Sequence, residues 1–209
     1  MKIFIVGGTG RVGQSLARKL YQAGHEVIIG SRHEVSDLVD LGIKFKQLDL
    51  HASVAELAQV IGKVDALYFT AGSRGKDLLQ SDAFGAVKTM EVAKLNGINR
   101  YIMLSAQKSL EPRFWDKEPY VQIKDYYTAK FFADKYLLDS TNLNYTILQP
   151  VALVETAGTG KFFGGENVIK TIAIDDVALA LLEALDNPAT YKQVLPISNG
   201  DQTLSEIWV

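Results

Sequence analysis

The sequence predicts an α/β fold, a doubly wound parallel sheet with helices on both faces and three layers in all. Three observations carry that reading. Short apolar runs alternate with helical patterns along the chain. The first run, Ile3 to Val6, opens onto a turn holding Gly7, Gly8, Gly10 and Gly13 and then leads directly into a helical pattern. The first strand, helix and second strand fit within about thirty residues, the size of a βαβ unit with its right-handed crossover.

Taken in order, Leu16, Ala17, Leu20 and Ala23 recur at helical spacing, and Gly24 supplies a stop. Glu26 to Gly30 is a second buried strand, Leu41 to Leu48 carries a third ended by Asp49, and Ser53 to Val60 is a short helix. Val64 to Phe69 is the fourth strand, followed by Thr70-Ala71-Gly72-Ser73. Asp82 to Leu95 is a long helix stopped at Asn96-Gly97, and Arg100 to Leu104 is the fifth strand, ending at Ser105-Ala106. Lys108 to Pro119 lacks periodicity and reads as a loop at the carboxyl end of strand five, where doubly wound sheets bind ligands. Tyr120 to Leu138 is a helix rich in aromatics, and Asn144 to Leu148 is a sixth strand broken by Pro150. From Val151 the pattern weakens into a flexible stretch with Gly158, Gly160, Gly164 and Gly165. Asp175 to Leu185 is a helix capped by Asp175 or Asp176, Gln193 to Ile197 a last short strand, and Leu204 to Trp208 the start of a helix.

Composition narrows the function classes. The 209 residues suit one domain, because a single core extends over about 250–300 residues. A formal charge of -2 gives no attraction to nucleic acid or to an anionic membrane. Cysteine is absent, and His25, His33 and His51 show no ligand spacing, so no metal site is expected. No stretch approaches the roughly 18 apolar residues of a membrane span, and the one early apolar run is the strand carrying the glycine turn, not a signal peptide. A cytoplasmic location is expected.

The glycine turn is the first site. Strand, glycine turn and helix make an anion cradle: the turn needs positive φ, a Cβ would block a pyrophosphate, and the N–H groups of the helix face the phosphates. The spacing is Gly7-x-x-Gly10-x-x-Gly13, and Thr9, Arg11 and Val12 belong to the same site. An ordinary glycine-rich turn is the plainer alternative. At the end of strand two, Gly30-Ser31-Arg32-His33 lacks the acid that accepts ribose hydroxyls in NAD-binding units. Ser31 and Arg32 instead offer a hydroxyl and a guanidinium fork to a 2′-phosphate, which favours NADP over NAD. Glu34 leaves a ribose contact open. Asp49 and Leu50 suit an adenine, although Asp49 equally suits a helix N-cap. Thr70, Ala71 and Gly72 stand where backbone passes close to the cofactor.

A reaction site follows from spacing on a helix. A tyrosine and a lysine four apart share one face, and the ammonium should draw the phenol pKa down towards the working pH. Tyr126 and Lys130 meet this spacing, and so do Tyr120 and Lys124. Chance alone gives about 0.7 such pairs in a chain of this composition, so position carries the weight. Ala129 and Ala133 leave room beside Tyr126 and Lys130. Ser105, ending strand five, completes the constellation by hydrogen-bonding a substrate oxygen.

The chain resembles the atypical short-chain dehydrogenase/reductase group, in particular small NAD(P)H-binding proteins of NmrA-like and flavin-reductase-like type. The likeness runs nearly end to end. It rests on IVGGTGRVG at 5–13, GSR at 30–32, LDL at 48–50, LSA at 104–106, YYTAKFFADKYL at 126–137, NYTILQP at 144–150 and IDDVALALLEAL at 174–185. The resemblance implies a Rossmann-like fold over 1–209, with a cofactor-binding core at 1–150 and a substrate-side segment at 151–209 packed on it. It also implies that Gly7, Gly10 and Gly13 hold the pyrophosphate and Arg32 the 2′-phosphate, and that Tyr126 and Lys130 match the family's helix pair.

The expected function is an NADPH-dependent oxidoreductase acting on a small carbonyl, quinone or flavin-like acceptor. Tyr126 would donate the proton, Lys130 tune it and orient a ribose, and Ser105 hold the oxygen. A second reading is a non-catalytic NADP(H)-binding regulator of a protein partner, motivated by Ala106 standing where the family often has a second hydroxyl. A third is a sugar-nucleotide epimerase with retained NAD. Self-association is most to be expected through the aromatic helix from Tyr120.

Overall fold

The computed structural model describes residues 1–165 and 170–209. The first half alternates strand and helix: β1 (Lys2–Val6), α1 (Arg11–Gln22), β2 (Glu26–Ser31), α2 (Ser36–Asp40), β3 (Lys44–Gln47), α3 (Val54–Ile61), β4 (Ala66–Phe69), α4 (Phe84–Asn96) and β5 (Arg100–Leu104). α5 (Lys124–Ser140) and β6 (Asn144–Pro150) follow. Beyond them come β7 (Ala152–Val154), β8 (Phe162–Gly164), β9 (Thr171–Ala173), α6 (Ile174–Glu183), β10 (Gln193–Asn199) and α7 (Leu204–Ile207).

Eight strands form one sheet in the order β3-β2-β1-β4-β5-β6-β10-β8, parallel except for the antiparallel β10–β8 pair. This is the doubly wound Rossmann-like sheet that the alternation predicts. The order reverses between β1 and β4, and there the helices leave a crevice at the carboxyl ends. Buried on both faces, β1 and β4 carry continuous apolar runs. Ile3 and Ile5 of β1 face one apolar cluster with Leu16 and Leu181, while Phe4 and Val6 face another with Leu57 and Met90. β7 and β9 make a separate two-stranded parallel sheet.

Several local expectations are corrected. The segment around Gly158 to Gly165 was expected as a flexible stretch without strands, yet β8 within it pairs with β10 and closes the sheet. Asp176 organises this turn, accepting from the N–H groups of Thr159 (2.9 Å) and Gly160 (2.8 Å). The N-cap of α6 is Ala173, so Asp175 and Asp176 lie in its first turn, where carboxylates suit the helix dipole. β6 runs through Pro150, which pairs with Ile197 and uses only its carbonyl, accepting from Gln107 N–H at 2.9 Å. The helix expected from Asp82 begins as a π-helical turn over Leu78–Ala83, and the one expected from Tyr120 begins as a 3-10 turn over Val121–Ile123. α2 was not anticipated.

At the amino end of the sheet Arg100 is buried and ties three elements together. It donates to Asn144 O (2.7 Å) and Thr146 Oγ1 (2.8 Å) of β6, and to Leu185 O (3.0 Å) and Ala184 O (2.5 Å) at the end of α6. Burial pulls its guanidinium down to about 10. The free flank of the sheet is β3, whose Lys44 pairs with Glu26 (2.7 Å) and whose Lys46 donates to Val60 O (2.5 Å). Among the described residues no helix is long and apolar enough to cross a membrane.

Candidate functional site: a cleft at the carboxyl ends of the strands

A cleft of about 620 Å³ runs along the carboxyl ends of β2, β1, β4, β5 and β6, within the usual range for small-molecule sites. Its floor is the glycine turn. Gly7 has φ +80, and a Cβ there would lie 2.5 Å from the backbone of Ala71, so only glycine lets β1 and β4 end side by side. Gly10 is the N-cap of α1 and brings no side chain to the cap. Gln14 N–H is the first in the helix to reach an intrahelical acceptor, Gly10 O at 2.8 Å. No acid occupies the first turn of α1, so its leading N–H groups present positive potential to the cleft. Gly7, Thr9, Gly10, Arg11 and Val12 line the cleft. Gly13, expected to hold the pyrophosphate as well, does not line it. A Cβ there would sit 2.4 Å from Gly7 O, so Gly13 seats the helix against the turn.

One arm of the cleft contains Ser31 and Arg32 on one side and Asp49 and Leu50 on the other. Arg32 is exposed on the wall, while the Ser31 hydroxyl donates to His33 O. Asp49 is not a helix cap: α3 is capped by Ser53 in a capping box with Glu56, and Asp49 Oδ1 accepts from His51 N–H at 2.9 Å. Lys88 of α4 holds this loop from below by donating to Leu50 O and to Ala52 O (3.0 Å). Thr70 Oγ1 donates to Val6 O (3.1 Å), and Thr70, Ala71 and Gly72 line the middle. A Cβ on Gly72 would meet only Asp82 Oδ1, at an ordinary 3.7 Å, so glycine is not demanded by the protein there.

The other arm gathers Ser105, Tyr126 and Lys130. Lys130 is buried, donates to Leu104 O at 3.1 Å and lies 5.8 Å from the centre of the Tyr126 ring. The second tyrosine–lysine pair is elsewhere. Tyr120 packs edge-on against Tyr127, and Lys124 pairs with Asp116 (2.5 Å) at the surface. Trp115 joins Tyr127 in a small aromatic cluster that backs Tyr126.

Sequence reasoning missed the charges behind this arm. Asp134, one turn beyond Lys130, is fully buried, and its Oδ2 accepts from Ser105 Oγ (2.8 Å), Ser109 Oγ (2.5 Å) and Gln149 Nε2 (3.3 Å). Burial pushes this carboxyl up to about 6, against the pull of its three donors and Lys130. The single proton of Ser105 therefore points at Asp134, and its lone pairs are what remain for a ligand. Asp82 is buried at the cleft wall as well. Burial lowers the Lys130 pKa, opposed by Asp82 and Asp134. The Tyr126 phenol is pushed up, by burial first and then by the same two carboxylates. The expected downward pull of the ammonium is not found, so Tyr126 remains a protonated phenol. The i, i+4 spacing of Lys130 and Asp134 on one helix face was the available signal; nothing local marks Asp82.

The comparisons with known proteins agree with this geometry. A profile of NAD(P)H-binding proteins matches residues 7–188. The chain is 32% identical to the uncharacterized sugar epimerase YhfK of Bacillus subtilis, over 99% of this chain and 98% of that protein. It is 27% identical to a 2-alkyl-3-oxoalkanoate reductase of Stenotrophomonas maltophilia, covering 96% of this chain and 71% of the other. The crystal structure of the oxidoreductase ylbE from Lactococcus lactis superposes with a TM-score of 0.92 at 37% identity, covering 100% of this chain and 95% of that one. With the glycine turn, the cleft and the profile in agreement, the chain belongs to the NAD(P)H-binding family, among the atypical short-chain dehydrogenases/reductases its motifs resemble.

Proposed function

We propose that the protein is an NADPH-dependent reductase of a small carbonyl, quinone or flavin-like acceptor. The observation that carries it is one continuous cleft with an anion cradle and Arg32 at one end and Tyr126, Lys130 and Ser105 at the other. The residues fit a dinucleotide: Gly10 caps α1 without a side chain, and the first turn of α1 is free of acids. Arg32 pairs with the 2′-phosphate, and Asp49 with Leu50 flanks the adenine. When bound, the reduced nicotinamide supplies a hydride. Lys130, held by Leu104 O beside the Tyr126 ring, has its remaining donors left for a ribose hydroxyl. Tyr126, a protonated phenol, gives its proton to the acceptor oxygen. Ser105, its own proton directed to Asp134, receives a hydrogen bond from the alcohol formed. The Lactococcus oxidoreductase and the Stenotrophomonas reductase support the reaction class.

A second reading, a regulator that binds NADP(H) without turning it over, is favoured by the same raised phenol, a weak acid at neutral pH. The Bacillus relative suggests sugar epimerisation instead. Titration of NADPH and NADH, followed by NADPH consumption with a panel of quinones, flavins and small carbonyls, separates the three. NADPH should bind at least tenfold more tightly than NADH, and Arg32→Ala should remove that preference. Equal binding of both cofactors, unchanged in the variant, would overturn the NADP assignment. Binding without consumption moves the reading to a regulator, and NAD retained through purification moves it to an epimerase.

A further inference from the structure

Two buried polar atoms on the cleft wall lack a hydrogen-bond partner among the described residues: Asp82 Oδ1 and Ser73 Oγ. They are linked. Asp82 Oδ2 accepts from the backbone N–H of Ser73 at 2.9 Å, which fixes the carboxylate and leaves its other oxygen and the serine hydroxyl unmatched. Asp82 is only 1% exposed, so water solvates it poorly, and leaving such groups unmatched weakens the fold. The backbone bears the mark of the same site. Asp82 sits in the π-helical turn Leu78–Ala83 that precedes α4, a distortion frequent at functional positions. That turn packs against α5, the helix of Tyr126 and Lys130, and the charge of Asp82 reaches both of those side chains.

A carboxylate oxygen next to a hydroxyl suits a group that donates and accepts at once, a ribose diol or a primary carboxamide. Both belong to one half of a nicotinamide dinucleotide. With the pyrophosphate on the glycine turn and the 2′-phosphate at Arg32, that half lies at this arm. We propose that Asp82 and Ser73 form a binding subsite for the nicotinamide nucleoside, Asp82 accepting from its hydroxyl or amide N–H and Ser73 completing the pair. The inference rests on the cofactor reading given above.

Asp82→Asn is the informative substitution. Ser73 N–H needs the amide oxygen, which turns the NH₂ towards the cleft and puts a donor where the acceptor stood. Wild type, Asp82→Asn and Ser73→Ala are titrated with NADPH, followed by its fluorescence, and with adenosine 2′,5′-bisphosphate, which lacks the nicotinamide nucleoside. Asp82→Asn should weaken NADPH by about 10- to 100-fold and Ser73→Ala by less, with the bisphosphate unchanged within about twofold. Thermal unfolding checks the fold of each, and Ser73→Ala decides if Asp82→Asn does not fold. Undiminished NADPH binding in the variants overturns the subsite while the cofactor reading stands. Parallel weakening of both ligands reduces the pair to a structural role. Wild-type protein that binds neither ligand sinks both proposals.

Discussion

Asp134 binds its neighbours through one oxygen and leaves the other, Oδ1, without a partner among the described residues. The charged form is therefore half satisfied, and only Lys130, one turn away and itself buried, offsets its charge. Because the folded pKa, about 6, exceeds the ordinary 3.8, the contribution to stability is fully present below about pH 4 and is lost as pH rises through 6. An asparagine cannot titrate. Asp134→Asn should accordingly gain on wild type by up to about 3 kcal/mol between pH 4 and 7 in urea unfolding. A difference that stays flat across that window removes the raised pKa. The same carboxylate explains why Ser105 was only partly legible. Its position at the end of β5 could be read from the sequence, whereas the direction of its proton depends on a residue 29 positions away.

The turn between β1 and α1 shows what local sequence can and cannot specify. The run Ile3 to Gly13 announced a strand, a turn and a helix start, and all three form. Which glycine does what is a matter of packing. Gly7 permits positive φ against Ala71, while Gly13 lets the helix close onto Gly7 O. Gly13→Ala should therefore push the helix off the turn at a cost of about 1–3 kcal/mol, and weaken NADPH together with adenosine 2′,5′-bisphosphate. Unchanged stability and binding would contradict that account. Elements marked by strong periodicity were readable in this way. The short ones were not: β7, β8 and β9 have three residues each, too few for an alternation to register, and β8 exists because β10 offers it a ladder. The π turn before α4 likewise left no pattern, since it is held by its packing against α5.

At the scale of the whole molecule the sheet separates its two ends by task. The carboxyl end is open and carries the cleft; the amino end is closed, and Arg100 holds it. Removing that side chain would take the side-chain donor from Leu185 O after α6 and from Asn144 O and Thr146 Oγ1 of β6 in a buried place, while Ala184 O would keep only Thr190 Oγ1. Arg100→Met should thus cost about 3 kcal/mol or more in unfolding free energy, while the affinity for NADPH stays within about twofold because the cleft lies at the other end. A loss of affinity at unchanged stability would show the ends to be coupled. The parallel sheet and the crossover of its first βαβ unit were readable from the sequence, but the union of the two ends of the chain in one sheet was not, because β10 reaches β6 across a stretch without periodicity. The flank formed by β3 has a bearing on how the molecule behaves in crowded solution. An unpaired edge invites another strand to add to it, yet the ammonium groups of Lys44 and Lys46 stand along this one. A second copy approaching with its own β3 would bring like charges together, which disfavours growth of the sheet from this edge.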